Sequence, residues 1–175
     1  CTPETGPLIE ASWKRACRLL EAMATGKTRF LFGDRISLAD LGFYGQLKVM
    51  SVDPTPMAWL RQDTPYLYRW LDHADDASGI EGEWSDALSA PVQALLGLAG
   101  DTYLPFLGAN EQAIGRGEET FSLEVENGRY AQGVFKYQLK CLAALRSEWS
   151  ALSAPERDRL ATSIGPNASL LSAEI

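Results

Sequence analysis

A chain of 175 residues is long enough for one domain with a substantial core, and 46% apolar residues with 5 tryptophans exclude a disordered polymer. The 16 Lys and Arg against 23 Asp and Glu leave a net charge of −7 with no basic run, which argues against nucleic acid or an anionic membrane as the main partner. No apolar run approaches the roughly 18 residues of a membrane span, no charged-then-apolar leader opens the sequence, and Cys1, Cys17 and Cys141 are too widely spaced to suggest a zinc site or a disulfide framework.

In chain order, Ile9, Trp13, Ala16, Leu20 and Met23 recur at spacings of four and three, with Glu10, Lys14, Arg18 and Glu21 facing away. This is an amphipathic helix, and Gly26 ends it. Cys17 within it, like Cys141 later, reads as a buried small hydrophobe. Lys27 to Arg35 form a loop carrying Phe30 and Phe32. The next helix start has complete chemistry: Ser37 can accept from the Asp40 N–H while the Asp40 carboxylate reaches back to the Ser37 N–H, a capping box. Ile36 and Leu41 suit a hydrophobic staple around it. Leu38, Ala39, Leu41, Phe43, Tyr44, Leu47, Val49 and Met50 leave no clear solvent face up to about Ser51, so this helix is expected to be buried, with Gly42 and Gly45 admitting close neighbours.

Asp53-Pro54 breaks the pattern, and Thr55-Pro56 and Thr64-Pro65 each suit a cap followed by proline at the first helical position. The first opens a short helix around Trp59 and the second a longer one facing inward through Leu67, Trp70, Leu71 and Ala74. Ala77 to Glu83 is a loop. From Ser89, Val92, Leu95, Leu96, Ala99, Tyr103, Phe106 and Leu107 keep helical spacing, and Pro105 is expected to kink or end that helix. The period then changes: Phe121, Leu123 and Val125 alternate with polar residues before the turn signal Asn127-Gly128, which predicts a hairpin near 120–132. Helical spacing returns from about Gly133 through Phe135, Leu139, Leu142, Leu145 and Trp149. Ser153 and Glu156 form a second capping box, Gly165-Pro166 terminates the last helix, and Asn167 to Ile175 read as a tail. The sum is a mainly α bundle with a small β-hairpin in the C-terminal half.

Reactive chemistry is sparse. His73 is the single histidine, so no histidine triad or multi-histidine metal site can be built, and with Asp72, Asp75 and Asp76 nearby it reads as a solvated helix end. Gly26-Lys27-Thr28 lacks the upstream glycine of a phosphate loop, and Gly115-Arg116-Gly117 lacks the third glycine of a dinucleotide fingerprint. Asn167-Ala168-Ser169 fits a glycosylation sequon without a secretory context. Glu118, Glu119, Glu124 and Glu126 read as surface charge, so no catalytic residue is assigned.

Phe30-Leu31-Phe32-Gly33-Asp34, followed by the Ser37 to Asp40 box, the staple and an apolar helix, resembles the helical C-terminal domain of the glutathione S-transferase family over about Leu8 to Asp75. The resemblance implies a C-terminal-like helical bundle over residues 1–82, and 83–175 is then a helical extension, hairpin included, packed on it. It implies that glutathione is the co-substrate of a longer parent, held mainly by a thioredoxin-like N-terminal domain that would precede residue 1. The parent would conjugate it to a hydrophobic electrophile, and this chain, opening on Cys1 rather than Met, would be a fragment, inactive alone and without metal.

Tyr44 and Lys48, polar-tipped and one turn apart, are the candidate substrate contacts at a cleft edge; the alternative is that Tyr44 bonds within the core while Lys48 reaches solvent. The second functional reading is a non-catalytic helical interaction or assembly module, kept open by Gly82 to Gly165, which the generic family domain does not place. A homodimer, a small hydrophobic substrate and a cytoplasmic location complete the expectation, with neither nucleic acid nor membrane as partner. Without the preceding family helix, Ile9, Trp13 and Leu20 are expected to be uncovered.

Overall fold

The computed structural model describes residues 2–126 and 128–172; Cys1 and Asn127, the first half of the expected turn, lie outside the described residues. The helical periods and caps resolve into α1 (Gly6–Ala24), α2 (Leu38–Met50), α3 (Pro54–Asp63), α4 (Pro65–Asp75), α5 (Ala90–Leu98), α6 (Leu104–Gly115), α7 (Tyr137–Ala151) and α8 (Ala154–Ile164). The alternating stretch forms one antiparallel hairpin, β1 (Thr120–Val125) with β2 (Gly128–Gly133), in a register that sets Phe121 opposite Gln132 and Val125 opposite Gly128. The fold is therefore mainly α with a small hairpin. Contacts divide it into two units, Trp13–Ala94 and Cys1–Ser12 with Leu95–Ile175. That division follows packing, whereas the expected one after residue 82 marks where the family pattern ends.

In the unit Trp13–Ala94, both halves of the first capping box are formed. One Asp40 carboxylate oxygen accepts from the Ser37 N–H at 2.9 Å and from its hydroxyl at 2.5 Å, and Ser37 Oγ accepts from the Asp40 N–H at 3.3 Å. The other Asp40 oxygen accepts from the Leu31 N–H at 3.0 Å, so the box also ties the aromatic loop to the start of α2. Beyond that tie, Gly33 adopts φ +136°, and a Cβ there would lie 2.3 Å from the Glu83 carbonyl oxygen. Only glycine allows this approach, in which the Asp34 N–H donates to Glu83 O at 3.0 Å and the Ser85 N–H to Phe32 O at 2.8 Å. Trp70 of α4 meets Phe30 edge-on at 6.4 Å and donates its indole N–H to Arg29 O at 2.9 Å.

Several details differ from the sequence reading. In α2 only Asp40 and Leu47 are buried, while Leu38 is 88% and Val49 70% exposed, and an added Cβ at Gly42 or Gly45 would meet nothing. A helix apolar on every side buries only the side that finds a neighbour, here α4, and composition does not name that side. Of the three residues expected to be uncovered, only Ile9 is exposed: Leu20 is buried, and Trp13 is half-buried with its ring 4.9 Å from Trp59. The helix opening expected at Thr55 begins at Pro54 instead, because Asp53 accepts from the Thr55 N–H at 3.1 Å. Thr64 stands at the α4 cap position but turns its hydroxyl to Leu60 O; Glu21 of α1 caps α4 instead, accepting from the N–H groups of Tyr66 at 3.3 Å and Leu67 at 2.6 Å.

The other unit is built around Leu104, Leu107, Leu142, Trp149, Ile164, Ala168 and Leu171. Pro105 neither ends nor sharply divides its helix. Its missing N–H and its ring, which would crowd the carbonyl four residues back, are accommodated by a π turn over Ala99–Tyr103, where the Leu104 N–H reaches Ala99 O. Gly100 in that turn lies so near the end of α8 that a Cβ would fall 1.9 Å from Ile164 O. Asn110, fully buried, clamps the Phe135 backbone in both directions at 2.8 and 3.1 Å. The Ser153 to Glu156 box is present, with the Ser153 N–H donating to the Glu156 carboxylate at 2.8 Å. The expected tail is structured instead: Pro166–Leu171 is a 3₁₀ turn that buries Ala168 and Leu171. Arg146 holds it, donating to Leu170 O at 3.0 Å and to both Glu111 oxygens at 2.6 and 2.8 Å. A short amphipathic end is indistinguishable from a tail until that partner is in place.

Asp40→Ala strands the Leu31 and Ser37 N–H groups as well as removing a cap, so chemical denaturation is expected to show a loss of about 2 to 4 kcal/mol. Gly100→Ala forces backbone apart and is expected to cost about 1 to 3 kcal/mol by the same measurement.

Candidate functional site

The candidate residues of α2 meet α4. Tyr44 and Lys48 stand one turn apart on α2, and Asp72 and Asp75 stand one turn apart on α4. The Tyr44 hydroxyl donates to the Asp75 carboxylate. Lys48 Nζ donates to Asp72 Oδ1 at 3.2 Å and lies 3.7 Å from Asp75 Oδ2. The four groups are open to solvent on at least one side: the side chains of Lys48, Asp72 and Asp75 are 33%, 76% and 55% exposed.

The electrostatics follow from these pairings. Asp75 is held below the usual aspartate range, first by the Tyr44 hydrogen bond and then by the Lys48 charge. Tyr44 is shifted upward because its hydrogen bond to Asp75 keeps the proton, and Lys48 upward by its bond to Asp72. At neutral pH the phenol is thus a donor and the amine an ammonium, which suits tying helices or contacting a polar group and does not suit proton abstraction.

Elsewhere the unit offers no activated nucleophile among the described residues. Burial pushes the Cys17 thiol up to about 12, so it stays protonated. His73 is exposed on α4. No group of three or more His, Cys, Asp or Glu is placed to hold a metal among the described residues.

Ser37 and Asp40 are brought together as expected, and their chemistry is that of a cap. Tyr44 and Lys48 share a face as expected, but the aspartates that receive them were read as a solvated helix end. The available signal was the match between a four-residue donor spacing on one helix and a three-residue acceptor spacing on another.

Sequence comparison adds one decisive observation: residues 5–73 match the family described as glutathione S-transferase, C-terminal domain. Over these residues the chain is similar to that family. No curated protein and no solved structure matches the chain. The matched glutathione S-transferase C-terminal domain segment is fewer than half of the 175 residues and runs from just before α1 into α4. It contains the capping box, Tyr44, Lys48 and Asp72, while Asp75 and the whole hairpin lie beyond it. No helix of the described residues is long and apolar enough to cross a membrane.

Since Asp75 titrates below its unfolded value, its contribution to stability is present above that unfolded value and is lost as pH falls through the folded one. NMR titration of the Asp75 carboxyl is expected to show this depressed value, and Tyr44→Phe is expected to move it upward.

Proposed function

We propose that this chain is the helical, substrate-side part of a glutathione S-transferase-like protein, and that the groups that hold glutathione and activate its thiol lie outside the 175 residues. The observation that carries the reading is the stripe on α2. Leu38, Leu41 and Val49, with Val52 just past the helix end, are 88%, 47%, 70% and 72% exposed. At 100° per residue they fall on one side of the helix together with Gly42 and Gly45. An apolar strip of this kind suits a greasy substrate wall or a second protein surface, and it offers no chemistry of its own.

In this reading glutathione is the co-substrate of the larger protein, the electrophile is hydrophobic, and Tyr44 and Lys48 supply polar contacts at the pocket edge while tied to α4. The alternative, a non-catalytic assembly module, draws on the same stripe: Gly42 and Gly45 let another helix approach closely, and a second copy of the chain, giving a homodimer, is the simplest occupant. A cytoplasmic location accompanies either reading.

The isolated chain is expected to show no glutathione conjugation with an aromatic electrophile above the uncatalysed rate. It is expected to self-associate in sedimentation or to bind a hydrophobic dye, and Val49→Glu is expected to abolish whichever is seen. A strictly monomeric chain that binds no dye would remove the stripe as a docking or substrate face; conjugation abolished by a substitution in this chain would place the reacting groups here after all.

A further inference from the structure

A groove of about 350 Å³ opens between α6 and the hairpin, in the unit that ends with Ile175. On α6, Ala109, Gln112 and Arg116 line it at helical spacing, and the hairpin contributes Ser122 from β1 with Arg129 and Ala131 from β2. The two alanines make the space, while the Phe121 ring turns to the other face of the hairpin and packs on Phe106.

The two guanidinium groups are in different states. Arg116 is neutralised by Glu118, its Nε and Nη2 donating to the two carboxylate oxygens at 2.7 and 3.0 Å. Arg129 stands opposite Glu124 in the strand register, yet its Nε and Nη2 both turn to the neutral Ser122 hydroxyl, at 3.0 and 2.6 Å. Among the described residues no carboxylate pairs with Arg129, and its Nη1 makes no hydrogen bond. An arginine in a groove with the Nη1 to Nη2 edge unspent presents the paired donors that a carboxylate accepts.

We propose that this groove binds a small organic monocarboxylate, its carboxylate on the outer edge of Arg129 and its body against Ala109 and Ala131. Size and charge narrow the class. A volume of about 350 Å³ is at the low end of ligand pockets and suits a small molecule. One uncompensated positive charge suits a monoanion, and Glu118 on the wall disfavours a phosphate dianion. Gln112, whose amide has no partner among the described residues, is a further donor for the bound group.

Benzoate is the probe. Amide NMR spectra of the full 175-residue chain titrated with it are expected to show saturable shifts at Ala109, Gln112 and Ala131. Arg129→Met is expected to weaken benzoate about tenfold or more, the loss of a charge-assisted pair. Ala131→Leu, which fills the groove and leaves Arg129 in place, is expected to weaken it as well, and Glu118→Gln, which releases Arg116, to strengthen it. Shifts that do not saturate, an affinity unchanged in Arg129→Met, or tighter binding of inorganic phosphate than of benzoate overturns the assignment.

Discussion

The Asp40 carboxylate is the interaction on which the first unit depends. A carboxylate with no solvent contact is costly unless its oxygens are fully engaged, and here the Ser37 N–H, the Ser37 hydroxyl and the Leu31 N–H engage both. Because those donors come from the helix start and from the aromatic loop, at Leu31 nine residues before Asp40, one side chain fixes the rotation of α2 relative to the loop. The rotation decides the rest: Leu47 goes inward, Tyr44 and Lys48 reach the aspartates of α4, and the Leu38 to Val49 stripe is left outward.

The second unit uses the same device with other residues. Asn110 satisfies both backbone groups of Phe135, and Arg146 joins α7, α6 and the terminal 3₁₀ turn through Glu111 and Leu170. Polar side chains hold each irregular connection to a helix, and the apolar cluster fills the space between. The π turn beside Pro105 belongs to this arrangement, since it sets Gly100 against the end of α8.

Function divides along the same lines. The part similar to the family, residues 5–73, carries a cap, the Tyr44 and Lys48 donors of the polar tie and an apolar stripe, none of which lowers the pKa of a thiol. The part beyond it carries the arginine groove.

Capping boxes, alternation and the Asn127-Gly128 turn signal were legible in the sequence because they act over three or four neighbouring residues. Both boxes formed at the starts of α2 and α8, and Phe121 to Val125 became a strand, whereas the helical spacing read from about Gly133 begins only at Tyr137 because Gly133 closes β2. What the sequence left open were questions about partners distant along the chain. Glu21 capping α4, Arg146 holding the last turn, Asp72 and Asp75 receiving Lys48 and Tyr44, and Arg129 choosing Ser122 over Glu124 each pair groups whose distance tertiary packing sets. The partial burial of α2 has the same reason: local pattern gives the number of apolar faces, and only the fold decides which of them is covered.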